Sequence, residues 1–403
     1  MITTTPIAVE AQAGAATRAT YAAFIWSGVA SASWASRIPQ IRDALHLAPS
    51  KLGLVLLSMA AGSILALVGS GHIVARFGSR KTVAVMAALL TVALAGAASG
   101  YHLGIAPVVV SLLLFGFAMG AWDVAMNVQG AVVERAVGRS IMARFHAGFS
   151  VGTVAGALLG ALMVTLHVPV TLHLALTAIV VGASTIYAVR TFMPDGAAES
   201  APAEGDSGLQ HTLRFWREPR TLLVGVFVLA FALAEGTGID WISISMIDGY
   251  QASAAVGTLA FAVFLAAMTT GRWFGPDLLD RYGRVPVLRA LSVITVAGLA
   301  LFIFGPNVLT AFIGALLWGL GTSLGFPVGM SAASDDPRFA APRVSVVASI
   351  GYCAFLGGPP MIGFLGDHFT VIKSLVAVTV LVALAAMIAN AIKPLPGAQN
   401  AHK

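Results

Sequence analysis

Charged residues are scarce in this 403-residue chain. Only 10% of its residues are Asp, Glu, Lys or Arg, while 58% are hydrophobic. An ordinary soluble domain has about 25% charged residues, and a soluble protein this apolar could not cover its surface with polar side chains. The composition therefore excludes a soluble enzyme, a disordered protein and a nucleic-acid binder, and it indicates an integral membrane protein.

Several signatures of chemistry are also missing. The single cysteine, Cys353, excludes an intrachain disulfide. The sequence has no zinc-protease motif, no Walker motif and no Cys/His cluster, so we expect no metal, no cofactor and no ATP-driven pumping. Gly148-Phe-Ser150-Val-Gly152 matches a hydrolase nucleophile motif, but it lies in an apolar run and not at a strand-to-helix turn. We therefore expect no enzyme activity.

Long apolar stretches recur along the whole chain. A helix needs about 20 apolar residues to cross a bilayer, and the sequence offers twelve such stretches. They fall near residues 20–36, 52–75, 82–99, 107–133, 143–166, 170–190, 221–246, 254–275, 286–304, 308–332, 343–366 and 371–392. The sequence thus predicts an all-α integral membrane protein with twelve transmembrane helices.

One longer polar insert divides the chain into two halves of similar size. It is rich in Ala, Pro, Gly and Glu and ends in a basic cluster, which is typical of a flexible linker. We predict a six-helix bundle over residues 1–190, a cytoplasmic linker over 191–220 and a second six-helix bundle over 221–403.

Basic residues are distributed unevenly between alternate loops. With both termini and the linker in the cytoplasm, only Arg37, Arg42, Lys51 and Lys373 fall outside, and Arg272 lies at or in a span. Cytoplasmic loops carry an excess of Lys and Arg. The predicted location is a cell membrane of the bacterial inner-membrane type, crossed many times, with both termini cytoplasmic.

The two halves carry similar motifs in the same order. Gly71-His-Ile-Val-Ala75-Arg76-Phe-Gly78-Ser-Arg80-Lys81 follows the second span, and Pro276-Asp-Leu-Leu-Asp280-Arg281-Tyr-Gly283-Arg284 follows the eighth. Trp34 pairs with Trp241 at nearly the same spacing. This common order indicates a duplication of a six-span unit.

The Gly-x-x-x-Asp-Arg-x-Gly-Arg signature in these loops resembles that of the major facilitator superfamily, over nearly the whole chain. The resemblance looks closest to the YbjJ-like branch, judged from Trp34-Ala-Ser-Arg37-Ile-Pro39, Asn127-Val-Gln-Gly130-Ala-Val-Val-Glu134-Arg135, Ala234-Glu235-Gly and Arg343-Val-Ser-Val-Val. Ala75 and Pro276 depart from the signature, which expects Asp and Gly there. The resemblance implies a monomeric transporter working by alternating access, with spans one, four, seven and ten around a central cavity.

The signature loops also predict a gate. Glycine permits tight turns between antiparallel spans, and basic residues at helix C-termini can pair with carbonyls and carboxylates. The predicted gate consists of Arg76, Gly78, Asp280, Arg281, Gly283 and Glu134. The alternative is that the arginines only follow the cytoplasmic excess of positive charge.

Charges inside spans are costly and are therefore functional candidates. In span four, Asp123, Asn127 and Glu134 follow one stripe of a helix, which should face protein or water. Arg144 and His146 enter span five, where either could pair with Asp123 and hold the two spans together. In the other interpretation Asp123 carries a proton and His146 relays it, because imidazole titrates near physiological pH.

Span seven carries two further carboxylates. Glu235 lies near its middle in a glycine-rich stretch, and we predict that it serves substrate or proton because no fixed cation is evident beside it. Asp240 is turned about 140° from Glu235 around the helix. It either contributes to the site or caps the outer end of the span.

Three other side chains are candidates for lining the cavity. Ser33 could hydrogen-bond a polar solute, and Trp34 and Trp241 could stack on one. The alternatives are helix packing for the serine and membrane anchoring for the tryptophans. Span ten is interrupted at Gly325 and Pro327, which favours a hinge over simple helix packing.

The sequence therefore predicts a secondary transporter that moves a small polar solute by alternating access, coupled to protons. An acidic cavity favours neutral polar solutes such as sugars, and export of organic cations or drugs is the alternative. A non-transporting membrane sensor or scaffold on the same fold is the alternative from another class. The expected partners are a small solute, protons and the lipid bilayer, without nucleic acid.

Overall fold

A computed structural model describes residues 6–138, 141–195, 214–336 and 338–395. Within these ranges the regular structure is entirely helical, without strands. Ten helical segments are long and apolar enough to cross a membrane, by length and composition. The all-helical class predicted from the sequence is therefore confirmed.

The chain divides into two compact units, the first formed by Met1–Leu47 and Leu54–Pro202. Its longest helix, α3, runs for 52 residues and contains the predicted spans two and three, with Gly78 as the only non-helical residue inside it. A short 3-10 turn, Val189–Thr191, follows the last helix. The helices are α1 (Pro6–Ala35), α2 (Ile38–Ala44), α3 (Pro49–Gly100), α4 (Ile105–Val137), α5 (Met142–Thr165) and α6 (Val170–Ala188).

The second unit comprises Ala48–Gly53 and Ala203–Lys403. The described chain of this unit ends in a 3-10 turn, Ala389–Ile392. Its helices are α7 (Pro219–Tyr250), α8 (Ala254–Tyr282), α9 (Arg284–Phe304), α10 (Val308–Thr322), α11 (Gly325–Ala333), α12 (Ala340–His368) and α13 (Val371–Ile388).

The structure has ten candidate membrane spans among the described residues, whereas the sequence predicts twelve. Helix α1 is not among the ten apolar candidates, and α3 counts once although it is long enough for two spans. The predicted boundaries 1–190, 191–220 and 221–403 stay a prediction. Most of the predicted linker, residues 196–213, lies outside the described residues.

Both signature loops turn at a glycine in the same backbone conformation. Gly78 has φ 77° and ψ 160°, and Gly283 has φ 80° and ψ 164°. This region of backbone space is almost restricted to glycine, because a Cβ clashes there. The tight turns predicted at these two positions are present, and their matching geometry agrees with a duplicated unit.

The apparent nucleophile motif is a helix contact. Ser150 lies inside helix α5 and is 5% exposed. A Cβ added to Gly152 would lie 2.1 Å from the carbonyl oxygen of Ile25 in α1, so the two helices touch through their backbones. Small residues at this spacing are typical of packed membrane helices, and the motif has no strand-to-helix turn.

Span ten is broken and span eleven is not. Helix α10 ends at Thr322 and α11 begins at Gly325, which places the interruption just before the predicted hinge residues. Helix α12 continues without interruption through Pro359 and Pro360. Whether Gly325 and Pro327 act as a hinge stays a prediction.

Candidate transport site

The first unit joins three of the predicted polar residues. The Asn127 amide nitrogen donates to the carbonyl oxygen of Asp123 at 2.8 Å and to its carboxylate at 3.3 Å. His146 Nε2 lies 3.1 Å from Asn127 Oδ1. Asn127 therefore links the carboxylate on α4 to the imidazole on α5, where the sequence predicts a direct contact.

Arg144 does not join this group. Its side chain is exposed, and among the described residues it forms no ion pair with Asp123. The structure therefore does not contain the Asp123–Arg144 ion pair that was one predicted link between spans four and five.

Asp123 opens onto a groove in the first unit. The groove has a volume of about 520 Å³ and is lined by Asp123, Val124, Asn127, Val128 and Ala131. In the part of the chain that the structure describes, no arginine or lysine neutralises this carboxylate. A hydrogen-bonded carboxylate without a cation can accept either a proton or a positively charged group.

Glu134 continues the same stripe towards the end of α4 but has another partner. Its Oε2 accepts hydrogen bonds from the backbone amides of Ile141 and Met142, both at 2.7 Å. A carboxylate at a helix N-terminus satisfies free amides and complements the helix dipole. Glu134 thus fixes the start of α5, and its role as a gate residue stays a prediction.

The predicted gate arginines stack on their chain neighbours. The guanidinium of Arg76 lies 5.6 Å from the ring centre of Phe77, and that of Arg281 lies 5.2 Å from the ring centre of Tyr282. Asp280 is exposed. Neither the arginines nor Asp280 forms an ion pair within the described ranges, so their gating role stays a prediction.

In the second unit the ion pairs involve residues that follow Arg281 in the chain. Arg284, the last residue of the signature, pairs with Asp335 at 2.7 Å, and Asp335 also pairs with Arg220 at 2.8 Å. Arg343 pairs with Glu218 at 2.7 Å. This hydrogen-bonded pairing with Arg343 lowers the pKa of the Glu218 carboxyl below its usual 4.5.

The turn at Gly78 is supported by a carboxylate that sequence reasoning missed. Asp195 accepts hydrogen bonds from the Ser79 backbone amide at 2.5 Å and the Ser79 hydroxyl at 2.6 Å. The buried Gln129 side chain also contacts the Ser79 hydroxyl, at 3.0 Å. A carboxylate therefore lies beside this turn even though Ala75 replaces the expected Asp. Asp195 is 116 residues away in sequence, and no local pattern marks it.

Glu235 in the second unit has the fixed cation that the sequence analysis did not expect. Arg272 Nη2 lies 2.8 Å from both carboxylate oxygens, so the expectation of an unpaired Glu235 is wrong. Asp240 lies well inside α7, which extends to Tyr250, and it cannot cap the end of that helix. Within the described residues Asp240 has no hydrogen-bond or ion-pair partner.

The three predicted cavity residues are buried. Ser33 is 0% exposed, Trp34 3% and Trp241 0%, which excludes membrane anchoring through the two indoles. The Ser33 hydroxyl and both indole nitrogens have no hydrogen-bond partner among the described residues. A cavity-lining role for these three residues stays a prediction.

The fold and these buried polar groups define a class: a multi-pass helical membrane protein that carries polar and charged side chains in its apolar helices. The sequence profile of the Major Facilitator Superfamily matches residues 20–353. The chain belongs to this superfamily and is a transporter, not an enzyme. The more specific YbjJ-like branch stays a prediction.

Two related sequences are also described as transporters. The chain is 29% identical over 392 residues to an uncharacterized transporter, y4wD, of Sinorhizobium fredii, covering 93% of this chain and 98% of the relative. It is 31% identical over 354 residues to an uncharacterized MFS-type transporter of Yersinia pestis, covering 86% of this chain and 87% of the relative.

Solved structures show the same fold at low identity. A nucleoside transporter, NupG, matches with a TM-score of 0.78 and 13% identity, over 94% of this chain and 99% of its own. A D-xylose-proton symporter matches with a TM-score of 0.73 and 14% identity, over 96% and 98%.

Proposed function

We propose that this transporter is a secondary active carrier of small, neutral polar solutes, driven by protons. Twelve spans in two six-helix bundles would expose a central site to each side of the membrane in turn. The membrane would be of the bacterial inner-membrane type, with both termini in the cytoplasm. The superfamily membership supports the carrier class, and the 52-residue α3 supports the count of two spans in that helix.

The observation that carries proton coupling is Asp123. Its carboxylate lies on a groove lined mainly by apolar side chains, is hydrogen-bonded by Asn127 and has no cation partner among the described residues. Glu235 is held by Arg272, so neutralising it would also leave a cation inside a membrane helix bundle, which is costly. Asp123 is therefore the preferred proton site, with His146 connected to it through Asn127.

Two observations bear on the cargo. The similar folds of a nucleoside transporter and a D-xylose-proton symporter support a polar, uncharged solute. The unpaired carboxylate in the groove supports the second candidate, export of organic cations, since a cation could replace the proton at Asp123.

The test is uptake into proteoliposomes that contain the purified protein. A pooled panel of sugars, nucleosides, amino acids and cationic drugs is offered with and without a proton gradient, and the internal solutes are identified by mass spectrometry. Accumulation that collapses on adding a protonophore is the expected result. Equal uptake with and without the gradient would contradict proton coupling. Binding of solutes without any uptake would favour a sensor.

A further inference from the structure

A groove opens in the second unit where one candidate span begins and another ends. Helix α7 begins at Pro219, and the last candidate span ends at Ile392. The groove has a volume of about 430 Å³ and is lined by Arg220, Leu223, Asn390, Ala391 and residues 393–395. Because both spans stop here, the groove lies at the surface of the membrane and not in its apolar interior.

Arg220 is fixed in this groove by three acceptors. Its guanidinium donates to the Asp335 carboxylate at 2.8 Å, to the carbonyl oxygen of Ala332 at 3.3 Å and to that of Lys393 at 3.1 Å. Asp335 also binds Arg284 at 2.7 Å, and its side chain is only 3% exposed. One buried carboxylate therefore serves two arginines, and this group keeps one positive charge in excess.

Two further cations border the groove without an acid beside them. Arg289 Nη2 donates to the side-chain oxygen of Asn390 at 3.2 Å, so this arginine contacts the groove through a neutral amide. The side chains of Arg289 and Lys393 are exposed, and neither forms an ion pair among the residues that the structure describes. The groove therefore has a clear excess of positive charge.

The acids nearest to the groove in sequence already have partners. Glu218, which precedes α7, pairs with Arg343 at 2.7 Å. Asp336 pairs with Arg338 at 3.1 Å. Neither acid is free to neutralise the groove, and a concave surface with an excess of positive charge attracts an anion.

Apolar side chains continue from the groove along two helices that pack against each other, α7 and α13. On α7, Leu223 lines the groove and Val226 lies one turn further on, and both are exposed. On α13, the exposed Met387 lies one turn before Asn390. Residues three or four apart lie on the same side of a helix. An exposed apolar surface therefore leads from the groove towards the middle of both spans.

We propose that this groove binds the headgroup of an anionic phospholipid. The phosphate lies among Arg220, Arg289 and Lys393, and the acyl chains follow the exposed apolar side chains of α7 and α13. Basic pockets between membrane helices suit such headgroups, and a free phosphate ion makes no use of the apolar surface. The inference goes beyond the proposed transport function, because it depends neither on the cargo nor on proton coupling.

The test is native mass spectrometry of the purified full-length protein, titrated with phosphatidylglycerol or with zwitterionic phosphatidylcholine in the same detergent. We expect phosphatidylglycerol to bind more tightly, and added salt to weaken its binding. Its apparent affinity should fall roughly fivefold in Lys393→Gln and in Arg289→Gln, the contribution of one basic residue at an anionic surface. The double variant should lose more than either single variant.

Two controls separate this groove from a general attraction between lipid and basic residues. Lys373→Gln removes an exposed cation from the opposite end of α13, and Arg144→Gln removes one from the first unit. Each changes the net charge as the test variants do, and each should leave phosphatidylglycerol binding unchanged. The comparison of the two lipids in the wild type needs no variant, so a poorly folded variant does not prevent the test.

Equal affinity for the two lipids in the wild type would overturn the site. Unchanged phosphatidylglycerol binding in both Lys393→Gln and Arg289→Gln, or an equal loss in the two controls, would also overturn it. Thermal unfolding in detergent decides between a lipid and a free ion. Stabilisation by inorganic phosphate that equals stabilisation by phosphatidylglycerol would overturn the assignment to a lipid.

Discussion

At the scale of single residues, the acids inside the predicted spans of the two units have different partners. Asp123 receives its hydrogen bonds from the neutral amide of Asn127, whereas Glu235 is paired with a guanidinium. Neutralising Asp123 removes one charge from a groove, while neutralising Glu235 leaves Arg272 unbalanced. Neutral variants of the two acids should therefore have different effects, because only the loss of Glu235 leaves an unpaired arginine.

Asp123→Asn should uncouple transport from the proton gradient. The amide keeps the shape of the side chain but cannot take up a proton, so accumulation should fall to the level of downhill exchange. The measurement compares solute accumulation under an imposed pH gradient with solute exchange when the pH is equal on both sides of the membrane. Arg144→Gln serves as the control, because Arg144 is exposed and does not pair with Asp123. Full accumulation in Asp123→Asn would assign the proton to another group.

The Glu218–Arg343 pair makes part of the stability depend on pH. Arg343 lowers the pKa of Glu218 below 4.5, so the pair stabilises the folded state above that value and is lost as the pH falls through the folded-state pKa. We expect Glu218→Gln to lower Tm by about 1–2 °C at pH 7, on the assumption of about 1 kcal/mol for a partly exposed pair in a chain of this length. The difference from wild type should narrow in acid.

Thermal unfolding of the detergent-solubilised protein across a pH series measures this effect. Arg338→Gln is the matched control, since Arg338 pairs with Asp336 but is 80% exposed and its removal should change Tm little. A Tm difference for Glu218→Gln that stays constant from pH 7 into acid would contradict the assigned cause.

At the scale of helices and turns, the apolar runs predicted most of the elements. Each predicted span in the described ranges is helical, although span ten is divided between α10 and α11, and Gly78 and Gly283 adopt the turns expected of them. The partners of the polar groups could not be predicted. Arg272 is 37 residues from Glu235 and Asp195 is 116 from Ser79, and pairing between helices depends on packing angles that periodicity does not encode.

The turn glycines provide a test at this scale. Gly283→Ala places a Cβ in a backbone conformation that costs about 1–3 kcal/mol for other residues, so Tm should fall by several degrees. Gly78→Ala should lower Tm by more, because its Cβ would also lie 3.2 Å from Asp195 Oδ2 and disturb the contact with Ser79. Gly71→Ala in the same signature has open space around its Cβ and should leave Tm unchanged or raise it slightly, because alanine favours a helix. Equal Tm values for the three variants would contradict this account.

At the scale of the whole molecule, the two units repeat one plan with different supporting contacts. Each has a turn glycine of the same φ and ψ after its second predicted span. Beside it the first unit uses Asp195 and Ser79, and the second uses Asp335 and Arg284. The two turns thus share their backbone geometry while the side chains that stabilise them differ, which is why the shared signature located the turns but not their partners.

The predicted orientation of the chain rests on the distribution of its basic residues and can be measured with cysteine labelling. In a Cys353→Ser background, a single cysteine at Arg338 should react with a membrane-impermeant maleimide only in inside-out vesicles, and one at Lys51 only in intact cells. Both native side chains are exposed, so the reagent has access from the correct side. The reverse pattern would place both termini outside. Labelling of both cysteines from one side would instead contradict the number of spans between them.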